Sequence, residues 1–396
     1  MSRQLLGWRT LAWAGVAFGV VAAFVAIPPI SLRSPVVPIV IGLVSVTIGL
    51  GSWFRGERRV GGYAIVIGSL GLVIGYLATR SSIEKLEAVV VWGALLASML
   101  RFATPLMFAA LGGLFSERSG VVNIGLEGMM LMGAFFAVWG ADVTGHWTGG
   151  LVIGIAVGGL TAFVHAFFSV SLRADQIVSG TAINFLALGI TSYLFIKLYG
   201  ETGTPGELSS IPDISLGFLR DVPVLGTFLF DWVGDLDLMI WLALIAVVLT
   251  WVVVFRTPIG LRIRSVGEHP RAADTVGINV YAIRYGAVTL SGMLAAAGGA
   301  YLALGFVNAF TENMIAGRGF IALASMIFGN WRPVPTAIAC LLFGFSSALA
   351  RSLGEYSASA SVLFEALPYV LTIIAVAGVI GRSTPPAADG RPYEKQ

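Results

Sequence analysis

The polar residues that could do chemistry are concentrated in one stretch, residues 117–132, which lies between two long apolar runs. Its first twelve residues hold two acids, one arginine, one asparagine and three glycines. Charge beside an apolar membrane segment is costly, so it usually has a partner or a function. On a helix, Asn123 and Glu127 would share one face, which could line a solute pathway or a subunit contact. The spacing is equally compatible with a solvated helix start at a membrane boundary.

The composition indicates that membrane-spanning helices must position these residues. The chain has 396 residues, of which 57% are hydrophobic and 11% charged, whereas soluble domains carry roughly 25% charged residues. Apolar windows that could span a bilayer recur along the chain and predict an all-α polytopic membrane protein with about 12 transmembrane segments. The net charge of +3 forms no basic patch, so no nucleic-acid partner is predicted.

Loop charges predict the orientation of these segments. Segment 197–237 carries seven acids against two basic residues, and segment 256–284 carries five arginines against two acids. Because positive loops stay in the cytoplasm, we expect the arginine-rich segment and both chain termini there and the acidic segment outside. A long run that contains Arg101 and Pro105 predicts a bent or broken helix, which ends at the cytoplasmic edge. Residues 319–328 predict a short helix, half-buried or re-entrant.

A second candidate lies in the arginine-rich loop, at residues 266–280. Pro270 can open a helix at its first position, and Gly277 is placed to end that helix. These residues predict a charged helix of about one to two turns lying along the membrane surface. Such a helix could act as a lever for a soluble partner, although an ordinary positive loop would have the same composition.

A third candidate is a polar helix face formed by Gln176, Gly180 and Asn184. Amide side chains on such a face could hydrogen-bond a solute or could hold helices together. The sequence contains no Gly-Lys-Ser/Thr phosphate loop, no Gly-x-Ser-x-Gly elbow and no His-Glu-x-x-His motif, so it predicts no catalytic residue, cofactor or metal site. Cys340 is the single cysteine, which excludes an internal disulfide.

Several motifs carry a family resemblance. They are ERSGVVNIGLEGMMLMGA at 117–134, TPL at 104–106, GGLF at 112–115 and DQIVSGTAIN at 175–184. The motifs resemble those of ABC importer permeases of the branched-chain amino acid and ribose permease superfamily. The resemblance is closest to the nucleoside and simple-sugar branch, which is paired with basic-membrane-lipoprotein binding proteins, and it covers residues 88–382.

The resemblance implies a transport subunit without enzymatic activity, located in the cell membrane as a multi-pass protein surrounded by lipid. A separate ABC ATPase subunit would hydrolyse ATP, and a second permease, a paralogue in this branch, would complete the passage. An extracellular lipoprotein would deliver the nucleoside or sugar substrate. The implied ATPase-coupling loop comprises Gly267, Glu268, Pro270, Arg271, Ala272, Ala273 and Gly277. The predicted translocation-pathway residues are Asn123, Glu127, Gln176 and Asn184.

Both ends of the chain lie outside the resemblance, whose core has about eight or nine membrane helices. Residues 1–87 predict an N-terminal extension with three membrane helices, and 88–382 form the permease domain. Residues 383–396 are rich in proline and polar residues and predict a disordered cytoplasmic tail. The alternative function is an ion-coupled secondary transporter of a small polar solute, with Glu127 as the coupling acid.

Overall fold

The computed structural model describes residues 8–26, 36–80, 92–200, 203–204, 208–222, 226–356 and 383–395. In these ranges the long elements are all helices, in agreement with the predicted all-α membrane protein. Seven of the described helices are long and apolar enough to cross a membrane. The total of about twelve segments stays a prediction, and the span predicted at 362–380 lies outside the described residues.

The chain divides into two compact units, Met1–Leu96 with Ala348–Val379 and Ala97–Ser347 with Ile380–Gln396. The N-terminal helices of the first unit are α1 (Trp8–Ala26), α2 (Val36–Phe54) and α3 (Arg58–Arg80). One hydroxyl links all three, because Ser45 Oγ lies 2.7 Å from the Gly15 carbonyl and 3.0 Å from the Ala64 carbonyl. The domain limits expected from the resemblance, 1–87 and 88–382, stay predictions.

The remaining elements begin with α4, which, like α14, has residues in both units. The helices are α4 (Trp92–Arg118), α5 (Leu126–Thr144), α6 (Trp147–Ala166), α7 (Gln176–Tyr199), α8 (Gly226–Leu229), α9 (Leu238–Arg256), α10 (Pro258–Glu268), α11 (Pro270–Thr275), α12 (Val280–Tyr301), α13 (Arg318–Phe328) and α14 (Pro333–Tyr356). π-Helical turns extend α6 over Phe167–Ser171 and α12 over Leu302–Val307. Such turns are rare and widen a helix locally.

Helices α5 and α12 form the centre of the second unit. Both are buried along most of their length and pack against each other and against α6. Glycines permit this approach, since a Cβ on Gly133 would lie 2.5 Å from Ala296 Cα and one on Gly299 would lie 1.9 Å from the Met130 carbonyl oxygen. Small residues of this kind let membrane helices approach at backbone distance.

Helix α4 is continuous, with Pro105 inside it, so the long predicted run is one helix and not two. Proline removes one backbone hydrogen bond, and α12 packs closely at this point, because a Cβ on Gly298 would lie 2.7 Å from the Pro105 carbonyl oxygen. The short helix predicted at 319–328 is present as α13, which has 11 residues. At 1.5 Å per residue it is about 16 Å long, roughly half of a bilayer core.

The acidic segment between α7 and α9 contains no long helix in its described residues, as its prolines and glycines predict. It forms two antiparallel strands, β1 (Asp213–Ser215) and β2 (Asp235–Asp237). The Nη2 atom of Arg101 donates to the Asp235 carbonyl at 3.1 Å, and its Nε lies 3.8 Å from the Asp237 carboxylate. Burial, reinforced by the charge of Asp213, raises the pKa of Asp237 to about 6, while Arg101 opposes this increase.

Replacement of Gly299 by alanine tests the contact between α5 and α12. The added Cβ would overlap the Met130 carbonyl, so we expect the free energy of unfolding to fall by about 2 kcal/mol or more. Gly286 lies in the same helix with open space around its Cβ position. The control Gly286→Ala should therefore keep or slightly raise stability. Thermal unfolding in detergent measures both variants, and equal melting temperatures would contradict the packing described for α12.

Candidate functional site

A non-helical segment, residues 119–125, separates α4 from α5 and is called the break here. Its second residue, Gly120, has φ +86°, a conformation that glycine adopts readily. The α5 helix starts only at Leu126, so Asn123 and Glu127 do not share a helix face, which corrects the prediction from their spacing. Asn123 is fully buried. Buried backbone groups need hydrogen-bond partners, so other elements must supply them here.

The polar face of α7 supplies several of these partners. Gln176 Oε1 accepts the Val122 N–H at 2.7 Å. Asn184 bridges two positions, because its Nδ2 donates to the Ile124 carbonyl at 3.0 Å and its Oδ1 accepts the Gly128 N–H at 2.8 Å. The predicted polar face is present on α7. In this conformation Gln176 Oε1 and both amide atoms of Asn184 bind the backbone of the break and of α5.

His165 of α6 and Asn123 of the break complete this network. His165 Nε2 lies 3.1 Å from the Val122 carbonyl and Nδ1 lies 3.0 Å from Ser179 Oγ, so the proton is on Nε2 and Nδ1 accepts. Asn123 Nδ2 donates to Ser291 Oγ of α12 at 3.0 Å. Within the described part of the chain, Asn123 Oδ1 and Gln176 Nε2 have no protein partner. The break thus contacts α6, α7 and α12 through polar groups.

The Glu127 carboxylate caps the short helix α13. Its two oxygens accept the Gly317 N–H at 2.7 Å and the Gly319 N–H at 2.6 Å. Such N–H groups have no partner within the helix, and the helix dipole also favours a negative charge there. Gly317 has φ +85°, and a Cβ on Gly319 would lie 2.6 Å from the Glu127 backbone nitrogen. Glycine at these positions therefore allows the carboxylate to approach.

The last residues of α4 bind the turn at the other end of α13. Trp331 Nε1 donates to Glu117 Oε2 at 2.6 Å, and Arg118 Nε and Nη2 donate to the Trp331 carbonyl at 3.0 and 2.8 Å. Glu117 is buried, which differs from the solvated position that a membrane edge would give it. The stretch that begins at Glu117 and ends at Glu127 therefore holds both ends of a helix about 16 Å long.

The segment predicted as a coupling loop contains the short helix α11, with the predicted boundaries. The helix starts at Pro270 and is followed by Gly277 at φ +85°. Arg271 and Ala272 are exposed on it, whereas Ala273 is buried. The exposed pair is available to a soluble partner, and the buried alanine attaches the helix to the rest of the unit.

Sequence reasoning missed α10, the helix directly before α11. Thr257 accepts the Gly260 N–H at 3.2 Å and Pro258 takes the first helical position. A threonine N-cap followed by proline is a start signal that the sequence contained. The arginine-rich segment therefore contains two consecutive helices, α10 and α11.

Residues 383–395, called the tail here, are ordered against α10 and α11, which corrects the disorder expected from their composition. The Ala388 N–H donates to the Gly267 carbonyl at 2.9 Å, and the Ala387 N–H donates to Glu268 Oε2 at 3.2 Å. Residues 383–395 form neither a helix nor a strand, so their backbone polar groups need other partners, and α10 provides two of them.

A buried arginine of α12, Arg284, also faces the tail. Its Nη1 donates to the Arg391 carbonyl at 3.0 Å, and it is the largest fully buried side chain among the described residues. Burial raises the pKa of the tail residue Asp389 to about 7, although Arg284 and the Gly390 N–H act in the opposite direction.

The fold and these contacts define a polytopic helical membrane protein in which a hydrogen-bonded break separates two core helices. The chain belongs to the family described as branched-chain amino acid transport system / permease component, whose sequence model matches residues 95–376. No solved structure matches the chain.

The chain is also similar to several individual permease proteins. The chain is 44% identical to the guanosine ABC transporter permease protein NupQ of Bacillus subtilis, over 75% of this chain and 95% of that protein. It is 41% identical to the nucleoside ABC transporter permease protein NupC of Lactococcus lactis, over 76% and 96%. The putative glucose ABC transporter permease protein TsgC13 of Haloferax volcanii is 39% identical, over 64% and 76%. A second guanosine permease of the same Bacillus strain, NupP, is 27% identical over 62% and 70%.

The variant Glu127→Gln tests the cap on α13. Glutamine keeps the size of the side chain but places an amide donor against one of the two N–H groups. A buried unsatisfied donor costs roughly 1–3 kcal/mol, so we expect solute uptake by the assembled transporter to fall about tenfold or more. The control is Glu312→Gln, which neutralises an exposed acid. Uptake that is equal in the two variants would show that the Glu127 cap is dispensable.

Proposed function

We propose that this chain is one permease subunit of an ATP-driven ABC importer that moves nucleosides or simple sugars across the cell membrane. The observation that carries the proposal is the 44% identity to a guanosine permease over nearly the whole length of that protein. The nucleoside permease NupC supports the same substrate class, and the putative glucose permease TsgC13 supports the wider range.

A second permease, a paralogue of this chain, would form the other half of the passage. The support is that this chain resembles both NupQ and NupP, two guanosine permeases of one Bacillus strain. Only 28% of the apolar window of α7 and 33% of that of α9 are buried, and such surfaces suit lipid or a partner permease. The partner and the lipid would cover them in the membrane.

The proposed topology has about twelve membrane segments with both termini in the cytoplasm. Positive loops stay cytoplasmic, so the arginine-rich loop that contains α10 and α11 would face the ATPase. The acidic segment before α9 would face outward, where a substrate-binding lipoprotein would deliver its cargo. ATP hydrolysis would take place in the separate ATPase subunits.

In this proposal α11 is the lever. ATPase subunits that close on ATP would push on the exposed face formed by Arg271 and Ala272. The displacement would pass into α12, which begins at Val280, and from α12 to the break, because Asn123 binds Ser291. The pathway role of Asn123, Glu127, Gln176 and Asn184 stays a prediction. In this conformation most of their polar atoms bind backbone or a neighbouring hydroxyl.

The contacts of Glu127 favour the ABC importer over an ion-coupled secondary transporter. A coupling acid must release and bind its ion during the cycle. Both carboxylate oxygens of Glu127 are held by backbone N–H groups of α13, an arrangement that suits a permanent cap.

Reconstitution into proteoliposomes tests the proposal. We expect nucleoside or sugar uptake only with the second permease, the ATPase subunits, ATP and the binding protein. Ionophores that dissipate ion gradients should leave the initial rate unchanged. Accumulation by this chain alone, driven by an ion gradient, would contradict the proposal and support the secondary transporter.

The variant Ala272→Glu tests the assignment of α11. A bulky acid on the exposed face should remove the ATPase contact, so substrate-stimulated ATP hydrolysis is expected to fall about tenfold, as for an interface hot spot. Ala272→Ser is the matched control, because it adds one small polar atom at the same position, and it should stay near the parent rate. Equal stimulation in the two variants would refute the coupling role of this helix.

A further inference from the structure

We propose that the tail, residues 383–395, is part of the coupling apparatus. It fixes α10 and α11 to the helix bundle and contributes to the surface that contacts the ATPase subunit. The inference rests on the proposed function, since it concerns the same loop. It goes beyond the family resemblance, which ends at residue 382.

The tail crosses several elements that are distant in sequence. Its backbone and charged side chains contact the α6–α7 connection, α10, α11, α12 and the α13–α14 turn. The contacts beyond those to Gly267 and Glu268 are Thr384 N–H to Asn330 Oδ1 at 2.9 Å, Arg284 Nη1 to the Arg391 carbonyl at 3.0 Å, the Arg173–Glu394 ion pair, and Lys395 Nζ to Asp274 Oδ1 at 4.0 Å. A segment with these partners connects five elements of the second unit.

Tyr393 anchors the far end of the tail beneath α11. Its side chain is buried in a small hydrophobic cluster, separate from the main core, with Val266 of α10, Ala273 of α11 and Val280 of α12. Its ring also meets the Tyr281 ring with centroids 5.6 Å apart. Because Ala273 is the buried side of α11, Tyr393 supports this helix from within and leaves the opposite face exposed.

The buried charge of Arg284 makes the tail more than a passive cover. An arginine removed from water needs acceptors. The tail provides a carbonyl acceptor at Arg391 and a nearby acid at Asp389. If the tail were displaced, the guanidinium at the start of α12 would lose these partners. The position of the tail is therefore linked to the conformation of α12, the helix through which α11 reaches the bundle.

The outward side of the tail continues the exposed face of α11. Arg391, Glu394 and Lys395 are exposed on the tail, as Arg271 is on α11. Their mixed charges suit a soluble protein better than a lipid surface, since headgroup sites are predominantly basic. The partner that fits this composite surface is the ATPase subunit, which α11 is proposed to engage.

The test uses the complete transporter, with both permeases, the ATPase subunits and the binding protein in nanodiscs. Tyr393→Ala removes the anchor, Tyr393→Phe keeps the ring, and Ala272→Glu serves as the reference that disables α11. Substrate-stimulated ATP hydrolysis is measured per assembled complex, together with hydrogen exchange of residues 266–280. We expect Tyr393→Ala to lower stimulation about fivefold, within the range of mutations along coupled networks, and to speed exchange, while Tyr393→Phe stays near the parent.

A second measurement needs no variant and therefore does not depend on a variant folding. Addition of the ATPase subunits to the wild-type permease pair should slow hydrogen exchange in both α11 and the tail. Slower exchange in α11 with no change in the tail would overturn the contact between the tail and the ATPase.

The outcomes separate this inference from the proposed function. Loss of stimulation in Ala272→Glu together with normal stimulation and exchange in Tyr393→Ala would overturn the role of the tail and leave the importer intact. Normal stimulation in Ala272→Glu would overturn the coupling role of α11, and the inference would fall with it. An effect of Tyr393→Phe equal to that of Tyr393→Ala would overturn the anchoring role of the ring.

Discussion

The structure depends on one constraint, which is that the non-helical backbone of the break must be hydrogen-bonded inside an apolar bundle. Water is not available there to hydrogen-bond the backbone, as it is at a surface. Side chains of neighbouring helices must therefore provide these hydrogen bonds. Gln176 and Asn184 of α7 and His165 of α6 take this role. The amide spacing on α7 therefore follows from the path of the break, and the two elements specify each other.

The same reasoning explains why the stretch contains charges. A carboxylate in an apolar environment is costly unless it is held by good donors. Glu127 accepts hydrogen bonds from the N–H groups at the start of α13, and Glu117 accepts one from the indole N–H of Trp331. The stretch therefore acts as a clamp on a half-length helix. Selection of the solute would then depend on other groups.

Local patterns were sufficient for features that depend on neighbours in sequence. Apolar length predicted the membrane helices and the short α13, and proline and glycine predicted both ends of α11. They failed where the partner lies far along the chain. The two oxygens of Glu127 bind residues that are 190 and 192 positions away. In the break, Gly120 and long-range partners prevent the helical continuation that would have put Asn123 beside Glu127. Order in the tail likewise depends on α10, α11 and Arg284, which composition alone does not reveal.

Amide hydrogen exchange at Gly317 and Gly319 shows directly whether the Glu127 carboxylate holds the first turn of α13. Amides at a helix start normally exchange fast, because they have no acceptor within the helix. We predict slow exchange of both in the assembled transporter and several-fold faster exchange when Glu127 is replaced by alanine, with the middle of α12 unchanged. Fast exchange in the parent protein, or exchange that does not depend on residue 127, would show that Glu127 does not hold this turn.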